Sequence, residues 1–267
     1  MVRVLTERFI HLYLRCVSPR VAVDRLDDIA DAAFRVFTRD GYRQAQIADI
    51  AKEAGVSTGL VYRYVESKEA LYYLALRREM GDDFEPLGAA IPTPSAGEVL
   101  DVVDTWLASL GLVQVIDTAV TPGRESNVGE ELARIVGRLY DGAFRHRRVL
   151  RLVERTAREW PDEARRFYDG VRAPLLQRLE QYIATRVRTG HFVAVPDAAA
   201  AARFVAETIA WFAYHRFDDY DANTIDDAVA RATVVELLTR SLLERPPAST
   251  PTPQRRPERS SQKRRPR

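Results

Sequence analysis

Residues 54–71 read AGVSTGLVYRYVESKEAL. Two glycines stand four apart, Tyr62 and Tyr64 flank Arg63, and serines at 57 and 67 bracket barely two helical turns. A plain surface helix has no need of such tyrosines, and a core helix would hardly carry them beside an arginine. Ser57 is a good N-cap, its hydroxyl placed to accept from a free amide of the first turn. Val61 and Val65 lie four apart on one face, while Thr58, Gly59, Tyr62 and Arg63 point elsewhere. The stretch therefore predicts a short helix packed by valines and exposing tyrosine and arginine, with Ser67 capping the next.

Working outward, Ile47, Ile50, Ala51 and Ala54 form a short helical stripe that Gly55 ends, only a tight turn before Ser57. Upstream, Leu26, Ile29, Ala30, Ala33 and Phe37 fall at i, i+3, i+4, i+7 and i+11, and Asp40-Gly41 supplies a stop. Downstream, Leu71, Leu74 and Ala75 continue the apolar face. Residues 81–97 (GDDFEPLGAAIPTPSAG) break periodicity with three prolines and read as a domain joint.

Everything beyond is helical in pattern, with no alternating strand of useful length. Leu100, Val103, Trp106, Leu107, Leu110 and Val113 predict one long helix. Stripes follow at Leu132–Leu139, at Val149–Trp160 and at Phe167–Val187, where Pro174 is expected to bend the helix. Two closing helices are expected near Asp197–Phe217 and Asp226–Leu243. The fold class is all-α: a three-helix N-terminal unit near residues 22–80 and a larger helical domain near 90–245. Residues 1–21 form an extension to which no role is given. Residues 246–267 are a Pro/Ser/Arg tail expected to be disordered.

The 267-residue chain is long enough for a substantial core, and 46% hydrophobic with 29% charged residues is ordinary for a soluble protein. Its net charge of +2 hides an uneven distribution. Residues 245–267 carry eight Arg/Lys and one Glu, leaving 32 basic against 37 acidic residues elsewhere, so any basic face of the folded part must be local. Cys16 alone excludes an internal disulfide and a cysteine zinc cluster, consistent with a reducing, cytoplasmic setting. The most apolar run, Ala198–Ala213, is broken by Arg203 and Glu207, which argues against a membrane span.

A helix, a glycine turn and a second helix exposing Thr, Gly, Tyr and Arg match the helix-turn-helix, whose second helix enters the major groove of duplex DNA. Gly59 removes a side chain where DNA approaches, the tyrosine hydroxyls suit phosphates, and Arg63 can reach a phosphate or a guanine edge. Lys68, just inside a capped helix start, suits a phosphate.

The run DIAKEAGVSTGLVYRYVESKEAL (49–71), with DRLDDIADAAFRVF (24–37) and DGY (40–42) before it, resembles the DNA-binding domain of TetR-type transcriptional repressors over about 60 residues. Two departures stand out: Ala45 and Gln46 open the second helix where the family usually has Ser or Thr, and Val65 stands where an aromatic is common. The resemblance implies a homodimer on a palindromic operator, with an inducer pocket and dimerisation through the last two long helices in the C-terminal domain. It places the DNA contacts at Arg43, Gln44, Ala45, Ser57, Thr58, Gly59, Tyr62, Arg63, Tyr64 and Lys68. Trp106 and Phe144 are the candidate pocket residues, pockets being mostly apolar and aromatic.

No cofactor or metal is expected. In HRFDDYDAN (215–223), Asp219, Asp221 and Asn223 copy the first ligands of a calcium loop, but Thr224 replaces the turn glycine and Ala230 the bidentate Glu, so a solvated connection is expected. His146 and His191 read as surface residues, and Glu154 and Glu159 as members of a charged helix face. No nucleophile with a base, and no acid pair at a fixed spacing, points to an enzyme. The expected function is a ligand-responsive regulator, most simply a repressor. The alternative is an all-α ligand-binding or dimerisation protein whose helix-turn-helix does not bind DNA.

Overall fold

The computed structural model describes residues 19–81, 89–117, 127–156, 159, 165 and 168–243. Residues 1–18 of the extension and the tail noted above lie outside these residues, as does Trp160.

Among the described residues the first four helices are α1 (Pro19–Asp40), α2 (Ile47–Glu53), α3 (Thr58–Tyr64) and α4 (Lys68–Glu79). Helix α1 buries Leu26, Ile29, Ala30, Ala33 and Phe37, the stripe anticipated from their spacing, and packs on α2 and α4. Ser57 Oγ accepts from Leu60 N at 3.2 Å and Ser67 Oγ from Ala70 N at 3.1 Å, so both serines cap as expected. Between α2 and α3, Gly55 takes φ +67°, a left-handed conformation that side chains with a Cβ resist. Val56 N then reaches back to Ala51 O at 2.9 Å, which closes the end of α2 and aims the chain into α3. Helix α2 starts on Gln46, whose side chain makes no capping bond.

Phe37, Tyr42 and Tyr72 form an aromatic triangle with each pair of ring centroids 5.6 Å apart, tying α1, the loop before α2 and α4 into one body. Val65 is fully buried in this core. It also makes an isolated parallel bridge with Ile91, where Ile91 N donates to Tyr64 O at 2.7 Å; no strand occurs among the described residues.

Seven further helices follow among the described residues: α5 (Ala96–Ser109), α6 (Leu112–Asp117), α7 (Val128–Arg145), α8 (Arg147–Thr156), α9 (Ala173–Arg188), α10 (Ala198–Ala213) and α11 (Asp227–Leu243). The single long helix expected around Trp106 is two helices, because Gly111 at φ +57° breaks it. Pro174 does not bend a helix but sits in the first turn of α9, preceded by a π-helical turn at Tyr168–Arg172. An N-terminal site suits proline, since the missing amide proton has no intrahelical partner there. Helix α10 ends at Ala213, short of Phe217, and a 3-10 turn (His215–Asp218) takes over.

That turn opens the segment expected to be solvated: Asp218, Asp219, Tyr220 and Asp221 are exposed as expected, while Arg216 is not. Arg216 is fully buried: its guanidinium donates to Phe212 O at 2.8 Å and Ile225 O at 2.7 Å and pairs with Asp227. A buried cation needs such partners to offset its lost hydration, and here they fasten the α10–α11 connection. Helix α7 packs against α10 and α11, α9 against α6 and α10, and α8 lies against α1 and α4, so one continuous core joins the two halves.

Candidate functional site

The second helix of the helix-turn-helix presents Thr58, Gly59, Tyr62 and Arg63 to solvent, with Tyr62 51% exposed, while Val61 turns into the core. The side chains of Thr58, Tyr62 and Arg63 make no hydrogen bond or ion pair among the described residues. Arg43 and Gln44 are exposed beside them, and Ser57 is exposed at the helix start. The arginines on the α1 side are instead neutralised: Arg35 pairs with Glu53 at 2.9 Å, and Arg39 with Asp40 at 2.9 Å and Glu53 at 3.4 Å. Arg43 and Arg63, by contrast, are exposed cations without a carboxylate partner among the described residues.

Three of the expected contact residues sit differently. Ala45 is 1% exposed, packed in the core with its amide bonded to Gly41 O, so it offers no side chain to a surface. Tyr64 is half-buried. Lys68 is half-buried too: its ammonium donates to Arg43 O at 3.1 Å and lies 4.6 Å from the Tyr42 ring centre, and burial lowers its pKa against the opposing pull of Glu69 and Glu159. The Tyr42 hydroxyl in turn donates to Glu69 at 2.8 Å. Lys68 therefore braces the loop before α2 while remaining at the edge of the α3 face.

A cavity of about 100 Å³ lies among α6, α7, α9 and α10. Its wall is largely aliphatic, with Leu112, Leu139, Leu175 and Ile209 from those four helices, and carries three polar side chains, His146, Arg172 and Tyr214. Neither Trp106 nor Phe144 lines it; both stand one layer behind. The Trp106 ring meets His146 edge-on at 5.4 Å, and Phe144 stacks on Tyr140 at 6.1 Å under the Arg147 guanidinium. His146 is not the surface residue expected: it is half-buried, and burial followed by the neighbouring Arg145 lowers its pKa. Glu154 is likewise no member of a solvated face. It accepts from Tyr214 Oη at 2.9 Å and meets His215 Nε2 at 2.7 Å behind the cavity wall. A leucine stripe looks the same in sequence whether it closes a core or lines a cavity, so spacing alone does not reveal this wall.

Helix α8 connects the cavity to the N-terminal helices. Leu150 lines the cavity, while Arg148 on the same helix grips Glu79 of α4 at 2.6 Å and Asp31 of α1 at 2.6 Å and stacks 4.0 Å from the Phe34 ring centre. At its end, Thr156 Oγ1 lies 2.9 Å from Tyr72 Oη in a buried contact. Just beyond, Glu159 accepts from Arg43 N.

Residues 29–73 match the model of the bacterial regulatory proteins of the tetR family, and residues 130–237 match that of the AefR-like transcriptional repressor C-terminal domain. The chain belongs to the TetR family of transcriptional regulators. Members of the TetR family are DNA-binding transcription factors rather than enzymes. The fatty acid metabolism regulator protein of Bacillus subtilis is 40% identical over 57 residues, which is 21% of this chain and 29% of that protein. The HTH-type transcriptional regulator BetI of Brucella suis is 26% identical over 197 residues, covering 72% of this chain and 94% of the relative. Among solved TetR-like structures, the ketosteroid transcriptional regulator KstR2 of Mycobacterium tuberculosis superposes with TM-score 0.52 at 16% identity, over 83% of this chain and 96% of that one, a likeness of fold. No described helix is long and apolar enough to cross a membrane, and no described group of His, Cys, Asp and Glu is arranged to hold a metal.

Proposed function

We propose that this TetR-family chain is a cytoplasmic, ligand-responsive repressor: a homodimer that holds a palindromic duplex operator and releases it when a small-molecule inducer enters the cavity. The observation that carries the reading is the face of α3. A tyrosine half open to water and an arginine without a carboxylate partner serve no packing purpose there, but they suit phosphates and base edges in a major groove. Thr58, Tyr62 and Arg63 are assigned to the groove. Ser57, Gly59, Arg43 and Gln44 lie where backbone and side chains meet the flanking phosphates, with Tyr64 and Lys68 at the edge. Residues 22–80 then form the DNA-binding unit and residues 90–245 the regulatory and dimerising one.

Dimerisation is supported by α10 and α11. Phe204, Val229 and Leu237 are 61%, 57% and 59% exposed, and an apolar groove of about 480 Å³ runs between the two helices past Phe204, Phe212, Val234 and Leu237. A second copy packing on this face would bury it by a two-fold operation and place two α3 helices about one DNA turn (~34 Å) apart. Ligand in the cavity presses on α8 at Leu150. Because Arg148 ties α8 to α1 and α4, occupancy favours a subunit arrangement whose recognition helices no longer match the operator spacing, and only a difference in ligand affinity between the two arrangements drives the shift.

Selection of randomised duplexes by the purified protein at about 0.15 M salt tests the reading. The expected product is a palindromic consensus. Folded protein that enriches no sequence would instead identify a ligand-binding module without operator recognition.

A further inference from the structure

We infer that the cavity takes an uncharged, mainly apolar molecule about one ring in size, held by a single oxygen that hydrogen-bonds His146. The inference rests on the ligand-responsive reading above and names the chemistry of its ligand.

Charge is excluded by how the polar wall is already committed. Arg172 looks like an anchor for an anion, but its guanidinium pairs with Glu207, lies 3.9 Å from Glu154 and stacks over Tyr168 at 5.6 Å. Glu207 is itself shared with Arg203 at 3.0 Å, and the second wall donor, Tyr214, is spent on Glu154. One wall cation thus faces two carboxylates. A ligand carboxylate would have to break the Arg172–Glu207 pair and leave Glu207 leaning on Arg203 alone, at a cost of the size seen when a partly buried pair loses a partner. A ligand cation would find no carboxylate in the wall and Arg172 close by.

The open hydrogen-bonding capacity is at the other end. The His146 imidazole makes no hydrogen bond among the described residues. Held neutral by its surroundings, it offers one donor and one acceptor nitrogen. Behind it the Trp106 indole N–H is buried without an acceptor, so this end is short of partners rather than oversupplied. The remaining wall is aliphatic. At about 100 Å³ the space falls well below the ~300–1,000 Å³ of drug-sized sites and nearer the ~150 Å³ that admits benzene.

The test uses the intact protein without DNA and four ring probes of similar size: phenol, toluene, benzoate and benzylammonium, titrated at neutral pH by calorimetry and followed by thermal melting. Phenol is expected to bind at least about tenfold more tightly than benzoate or benzylammonium. His146→Leu should bring phenol down to the level of toluene and leave toluene unchanged. Ala210→Leu, which fills the cavity from α10, should abolish both. Benzoate binding as tightly as phenol, a His146→Leu variant that still prefers phenol to toluene, or no probe binding at all would overturn the inference. Because DNA is absent, failure of operator recognition shows only in the duplex selection. Probes that bind a protein selecting no DNA leave this inference standing, while a recovered palindrome with no probe bound removes it and spares the operator reading.

Discussion

Gly55 and His146 show how differently single residues constrain this molecule. A Cβ at Gly55 would meet nothing within 4 Å, yet its φ of +67° penalises any other residue. Gly55→Ala should therefore cost about 1–2 kcal/mol by backbone strain alone, read as a lower denaturant midpoint with an unchanged slope. Both this turn and the caps Ser57 and Ser67 were legible in the sequence because their chemistry is local. Ala45 and His146 were not, since their burial is decided by helices remote in the chain. His146 has a folded-state pKa below its ordinary 6.5. The unfolded chain therefore takes up this proton first as pH falls, and stability is lost from about pH 6.5 downward until the folded pKa is passed. Measured against His146→Leu, which cannot titrate, wild-type stability should decline relative to the variant across that acid range; parallel pH profiles would show that His146 titrates alike in both states.

At the scale of elements, α8 does the joining. Its apolar side buries Val149, Leu152 and Val153, and its polar side holds Arg148 between Asp31 and the nearly buried Glu79, whose side chain is 11% exposed. Arg148→Met keeps most of the packing but leaves Glu79 without its cation. We expect a loss of about 1–2 kcal/mol, below the ~3–5 kcal/mol of a fully buried pair because Arg148 is itself partly solvated. Chemical denaturation checks the loss, and the same variant should weaken any effect of cavity ligand on DNA affinity. The existence of these helices could be read from period, and the bounds of α11 nearly so, but not every end. An apolar stripe runs unbroken through Gly111 in sequence, and whether a lone glycine interrupts a helix depends on what packs beyond it. Pro174 likewise marked a discontinuity without saying on which side of it the helix lay.

For the molecule as a whole, the exposed face of α10 and α11 should decide both assembly and DNA binding. Phe204→Glu with Leu237→Glu places charges at the centre of that face, and sedimentation velocity should then show monomers where wild type is dimeric, with duplex affinity falling because two half-sites are no longer engaged together. Both substitutions are at solvent-exposed positions of the subunit, so its melting should change little. The two parts, a helix-turn-helix unit and a larger helical one, were legible from the change in motif along the chain. The cavity was not, because a void is a property of packing that no single stripe records. Whether α3 reads DNA as one of a symmetric pair is decided by titrating the selected duplex with wild type and with Tyr62→Ala, Arg63→Ala at matched salt, recording stoichiometry and affinity together. Wild type should bind as two subunits per duplex, and the variant should stay folded and dimeric but bind at least about tenfold more weakly. A variant that binds as tightly as wild type, or one subunit saturating the palindrome, would contradict that reading of α3.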